Sequence, residues 1–306
     1  MSNATFAQTN CAVLLAAYNG IEYIEQQVHS ILTQSGVNVT LFVSVDLSTD
    51  GTKEYFDNLS AQHSNVILLP YGQKYGSAGR NFFRLLNDVD ASAFDYFSLA
   101  DQDDIWNIDK LFRAITLLKQ SDYSAYSSNV IAFWPEGHKK LIKKNQPQRK
   151  WDYYFEAAGP GCTYVFTQEL MISLQNCLNS DWNSIQKVSF HDWFIYAFAR
   201  AKGFKWFIDA KPSMQYRQHA NNVIGARAGV HSYITRFKKI MNGWWLGQSL
   251  MIAGIINQND EPFVKSWRLL RRAGLVKLAF QARKCRREVK AQLFFFVAVL
   301  CLALKG

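Results

Sequence analysis

Residues 98–106 read "SLADQDDIW". An apolar run, Tyr96 to Ala100, ends in three carboxylates within four positions, Asp101, Asp103 and Asp104. Like charges at this spacing repel, and a strand gains no packing by ending in them, so the cluster points to a ligand of opposite charge. In an extended segment Asp101 and Asp103 project to the same side. Two carboxylates so placed can share one hard divalent cation.

Upstream, strand-like and helix-like patterns alternate. Val13 to Ala17 is a short apolar strand, and Ile21, Ile24, Val28, Ile31 and Leu32 then recur at helical spacing up to the breaker Gly36. Residues 39–45, "VTLFVSV", form a second strand, "GTKEYFDNL" a short helix and residues 66–69 a third strand. A helix around Arg80 to Asn87, the strand Tyr96 to Ala100, and a helix from Ile108 to Lys119 with Leu111, Ile115 and Leu118 on one face complete the series. The order βαβαβαβα predicts an open, mostly parallel α/β sheet flanked by helices. Ligands of such sheets bind beyond the carboxyl ends of the strands. Tyr18 and Asn19 follow the first strand there, Asp46 closes the second, and Asp101 to Asp104 follow the fourth.

The chain has no G-x-x-x-x-G-K-[ST] and no G-x-G-x-x-G after its first strand, so neither common glycine-rich phosphate cradle is present. Phosphate charge then falls to a carboxylate-held Mg²⁺ or Mn²⁺. With 306 residues, 49% of them hydrophobic, the chain can bury a full core. Its five cysteines, an odd number without a C-x-x-C pair, suggest neither a disulfide framework nor a zinc site. The early apolar run Cys11 to Ala17 has no basic residue before it and is shorter than a usual signal core. It reads as a buried strand, and a cytoplasmic location is expected.

The net charge of +10 is concentrated late in the chain. Residues 265–290 hold ten basic residues against one acid, Glu288, and "AQLFFFVAVLCLAL" (291–304) follows directly. That apolar run is shorter than the roughly 20 residues that cross a bilayer. It predicts a helical extension, residues 227–306, lying on an anionic membrane surface, with packing on the protein as the other reading. A nucleic-acid surface is not expected, because the cationic stretch leads into unbroken apolar residues with no groups to read bases.

Seven ordered elements carry a family resemblance: "AAYNG" (16–20), "VSVDLSTDGT" (43–52), "GSAGRNFFRLL" (76–86), "DQDDIW" (101–106), "GPGCTYVF" (159–166), "HDWF" (191–194) and "YRQHANNVIG" (216–225). In order and spacing they resemble the family 2 inverting glycosyltransferases with a GT-A fold, and most of all the bacterial rhamnosyltransferases that build surface polysaccharides. The resemblance implies a GT-A domain over residues 1–226. It implies nucleotide-sugar contacts at Tyr18, Asn19, Asp46, Asp101 and Arg217, metal ligands at Asp103 and His219, and a catalytic base at Asp192. Gly161, Cys162 and Trp193 are expected on the acceptor side. The family's usual double acid at the end of the second strand is Val45-Asp46 here, so one carboxylate is missing.

The chemistry asks for these residue types. Sugar transfer with inversion needs a base for the acceptor hydroxyl and positive charge at the departing diphosphate. The implied donor is dTDP-L-rhamnose, with UDP-hexoses as the alternative, and the implied acceptor is a hydroxyl of a glycan or lipid-linked glycan. Residue pattern alone reads Asp192 as a helix-start residue, His219 as a structural histidine and Asp50 as a turn residue. A nucleotidyltransferase would carry a basic glycine-rich loop where "AAYNGIEY" stands. A membrane-bound binding protein that had lost turnover would have no need of Asp192 and the metal acids.

Overall fold

The computed structural model describes residues 9–219 and 237–305. Residues 220–225 of the "YRQHANNVIG" element and the expected domain boundary at 226 lie outside them. The chain falls into two compact units: residues 1–145, 159–180 and 204–223 in the first, and 146–158, 181–203 and 224–306 in the second. The second unit thus takes in two stretches, 146–158 and 181–203, from within the span 1–226 that the resemblance implies for the GT-A domain.

The first unit is α/β. β1 (Asn10–Ala17), β2 (Asn38–Val45), β3 (Val66–Leu68) and β4 (Tyr96–Ala100) alternate with α1 (Ile21–Leu32), α2 (Thr52–Gln62) and α3 (Ala78–Asp88). β1 pairs in parallel with both β2 and β4, Ala17 lying opposite Val45 and Leu15 opposite Ala100, so three strand ends meet at one edge. Cys11 to Leu15 are solvent-free, as a central strand covered on both faces requires.

The sheet has seven strands. Beyond β4 come β9 (Val165–Thr167), β6 (Ala125–Ser128) and β10 (Trp206–Asp209), and β9 runs antiparallel to both neighbours. A second sheet of β5 (Ile105–Trp106), β11 (Met214–Arg217), β7 (Val130–Phe133) and β8 (Lys139–Ile142) carries the later part of the unit. Its strands are two to four residues long, too short for a period-2 pattern to stand out.

The second unit holds the helix His191–Ala201, the helices Trp244–Ile255, Pro262–Trp267 and Arg272–Phe280, and the last helix Val289–Lys305. Phe155 is its aromatic centre, with ring centroids of Trp267 at 5.5 Å and Phe295 at 5.1 Å. Beside it Asp152 is fully buried. Its carboxylate lies 3.2 Å from the Arg200 guanidinium and 3.8 Å from that of Arg287, and accepts the Tyr196 hydroxyl proton at 3.1 Å. Arg286 donates to the Phe155 carbonyl at 2.6 Å and pairs with Glu156. Arg286 and Arg287, counted in the sequence with the cationic stretch expected on a membrane surface, are here partly and fully buried against this unit. An unpaired buried charge would be prohibitive, and the two acids supply the partners.

Candidate active site

The site forms at the edge where β1, β2 and β4 end. The chain turns sharply after β1 at Asn19, whose φ of 46° is one that asparagine tolerates better than most residues. The Asn19 side-chain oxygen accepts the Thr49 amide at 2.8 Å, while its own amide donates to Ser48 Oγ at 3.0 Å. This ties the β1 turn to the loop after β2 and leaves the Tyr18 ring exposed. Asp50 accepts the amides of Ile21 and Thr52 at 3.0 and 3.1 Å, the turn role its place in the sequence suggests.

Asp46 is buried, and its carboxylate accepts the amides of Leu47, Tyr75 and Gly76 at 2.8, 2.9 and 2.7 Å. In this state its oxygens shape the loop before α3. Sequence patterning had no means of assigning that second duty.

The "DQDD" residues play different parts. Gln102 donates to the Tyr18 carbonyl at 3.0 Å and accepts the Tyr18 amide at 2.7 Å. A Cβ at Gly20 would stand 2.6 Å from the Gln102 carboxamide, so a larger residue there would push this clamp aside. Asp103 Oδ2 lies 2.6 Å from His219 Nε2, so the segment that leaves β11 brings the histidine to Asp103. Arg217 donates Nε to the Asp103 carbonyl at 2.7 Å and its amide to Asp104 Oδ1 at 3.0 Å. The Arg217 guanidinium stacks over the Tyr23 ring at 4.6 Å, and the His219 ring lies 5.1 Å from the same tyrosine.

Asp104 is the residue that sequence reading left without a role. It is fully buried: Oδ1 accepts the Arg217 amide, and the carboxyl group otherwise neighbours the Cys162 thiol. Burial, then the Asp103 and Asp101 charges, push its acid well above the usual carboxylate range. Oxygens of Asp101 and Asp104 and the Cys162 sulfur lie within 4.8 Å of one another. Burial and the two acids raise the Cys162 thiol, and a thiol is a soft donor that a hard divalent ion does not prefer. The Asp101 and Asp104 oxygens are the hard donors of this group, the kind a divalent ion takes, while Asp103, the residue before Asp104, is bound to His219.

Lys110 was also missed, because a lysine in an amphipathic helix reads as solvent-facing. It is 1% exposed, with Nζ 3.0 Å from the centre of the Trp106 ring and 3.2 Å from Ser98 Oγ. Burial draws its ammonium down to about 7.

Gly161, Cys162 and Trp193, expected on the acceptor side, are all buried. The Trp193 indole donates to the Tyr153 carbonyl at 2.9 Å. Asp192 belongs to the second unit. It lies in the first turn of the helix His191–Ala201, half-buried, and accepts the Trp193 amide at 2.7 Å.

Residues 12–169 match the family described as Glycosyl transferase family 2. The chain is 40% identical over 289 residues, 94% of its length and 99% of the relative's, to a "dTDP-rhamnosyl transferase RfbG" of Shigella flexneri. Among solved structures it resembles S. aureus TarS 1-349 in complex with UDP, with a TM-score of 0.56 at 11% identity, covering 97% of this chain and 91% of that one. It also resembles mannosyltransferase PcManGT from Pyrobaculum calidifontis in complex with GDP-Man and Mn²⁺, with a TM-score of 0.50 at 15% identity, covering 96% and 86%. At such identities the two structures speak for the GT-A-type fold alone.

Proposed function

Because this chain belongs to glycosyl transferase family 2 and is a glycosyltransferase, we propose that it transfers L-rhamnose from dTDP-L-rhamnose, with inversion, to a hydroxyl of a glycan or lipid-linked glycan. The observation that carries the donor is the near full-length, 40% identity to a protein named a dTDP-rhamnosyl transferase.

The exposed Tyr18 ring is offered to the nucleotide base, with Asn19 and Asp46 holding the loops on either side. Asp101, Asp103 and His219 would hold an Mg²⁺ or Mn²⁺ ion, with the buried Asp104 beside Asp101, and Arg217 keeps Asp103 and Asp104 in register. When bound, the ion supplies positive charge to the departing diphosphate. Asp192 takes the acceptor proton as the acceptor oxygen bonds to the anomeric carbon and the bond from that carbon to the diphosphate breaks. Its place in a helix's first turn favours the ionised form that a base requires.

The acceptor chemistry also motivates attachment to the inner face of the cell membrane, where a lipid-linked glycan would be met. Among the described residues no helix is long and apolar enough to cross a membrane, so attachment would be peripheral. Donor hydrolysis tested over a panel of nucleotide sugars, with Mg²⁺ or Mn²⁺, decides the donor. Turnover of dTDP-L-rhamnose above all others is expected. Preference for a UDP-hexose overturns the rhamnosyl assignment and leaves the family unaffected.

A further inference from the structure

The last helix, Val289–Lys305, has two apolar faces. Phe295, Ala298, Val299 and Ala303 point into the second unit and are buried. On another face Val289 is 74% exposed, Leu293 65% and Val297 47%, and Leu304 continues the line near the end of the helix. A helix of a globular protein needs one apolar stripe for its core; a second, facing outward, asks for a covering.

The helix that carries the stripe packs, through Phe296, beside a groove of about 530 Å³ in the same unit, lined by Trp151, Phe263, Val276, Lys277, Phe280 and Lys284. Phe280, 71% exposed, stands at the junction, its ring 5.4 Å from that of Phe296. Lys277, Arg283, Lys284 and Lys290 are exposed around these features, and Glu288 is the sole acid in the sequence after residue 261.

We propose that the Val289–Leu293–Val297 stripe and the lysine-flanked groove beside Phe280 form one surface that lies on an anionic phospholipid bilayer. Apolar side chains then enter the interface and lysines meet the headgroup phosphates. The charge selects this occupant. A second copy docked by a two-fold contact would bring the same lysines against themselves, whereas an anionic leaflet complements them. The inference rests on the peripheral attachment proposed above and is independent of the donor.

Flotation of the purified full chain with vesicles tests it, using phosphatidylcholine alone and phosphatidylcholine mixed with phosphatidylglycerol. The wild type should float with the mixed vesicles in a salt-sensitive manner and stay behind with the neutral ones. Leu293→Glu/Val297→Glu and Lys277→Glu/Lys284→Glu change only exposed side chains, so thermal melting should be kept while the bound fraction falls by about tenfold or more. Donor hydrolysis should be unchanged in both. If the wild type ignores mixed vesicles at low salt, both the surface and peripheral attachment are overturned. If it floats and both double variants float equally well, attachment stands and this surface is wrong. If the variants convert a dimer to a monomer with flotation unchanged, the surface is an interface between copies of this chain.

Discussion

Gln102 holds Tyr18 by both of its main-chain polar groups, donating to the carbonyl at 3.0 Å and accepting from the amide at 2.7 Å. The residue between the acids therefore fastens the end of β1 to the end of β4. Gln102→Ala removes both bonds, each worth about 1 kcal/mol. Under the proposed role of Tyr18, the KM for the donor should rise about tenfold or less while kcat changes little. Steady-state kinetics with dTDP-L-rhamnose separates the two; a fall in kcat at constant KM would remove Tyr18 from donor binding.

Asp103 and His219 face each other at 2.6 Å, and both are proposed ligands of a divalent ion. Asp103→Ala should abolish transfer, and chelator should do the same to the wild type until Mg²⁺ or Mn²⁺ is restored, since the departing diphosphate needs its charge met. Full transfer in excess chelator rules out a metal-dependent reaction.

Asp192→Asn keeps size and the bond from the Trp193 amide but cannot take a proton. Turnover should fall by about 10²-fold or more with donor affinity retained. Donor affinity is read by calorimetry and turnover by product release. A parallel loss of both makes Asp192 a structural residue of its helix.

Asp152 is enclosed by Arg200, Arg287 and the Tyr196 hydroxyl. Asp152→Ala leaves two guanidinium groups without their shared counter-charge, and a cost of about 3–5 kcal/mol is expected. Urea unfolding measures it. A loss smaller than about 1 kcal/mol would mean that Glu156 alone compensates the arginines.

Lys110 should make stability depend on pH. Burial lowers its ammonium from 10.5 to about 7, so between those values the unfolded chain binds a proton that the folded chain does not. Its contribution to stability therefore rises with pH across that window, and the burial cost is fully felt below it. Asp104, whose acid is raised above its usual range, has the opposite sign, as its folded form keeps a proton that the unfolded chain has released. Urea unfolding at about pH 7 and about pH 9 should show a rise in the wild type that Lys110→Met removes. Equal slopes in the two proteins would show that Lys110 is charged in the fold throughout.

By itself the sequence determined the α/β order, the strand ends that carry Tyr18, Asp46 and the acidic cluster, and membership of a family, because hydrophobic period and motif order are local properties. The strand Tyr96 to Ala100 and helix 21–32 stand where their patterns predict them. Tertiary structure decided what depends on distant partners. Gln102 became a clamp because Tyr18 passes beside it. Asp104 and Lys110 were taken out of solvent by elements that no local pattern relates to them. Arg286 and Arg287 turned inward because Asp152 and Glu156, some 130 residues earlier, were there to receive them. A charge is legible in a sequence; whether it meets water or a counter-charge is settled only when the chain folds back on itself.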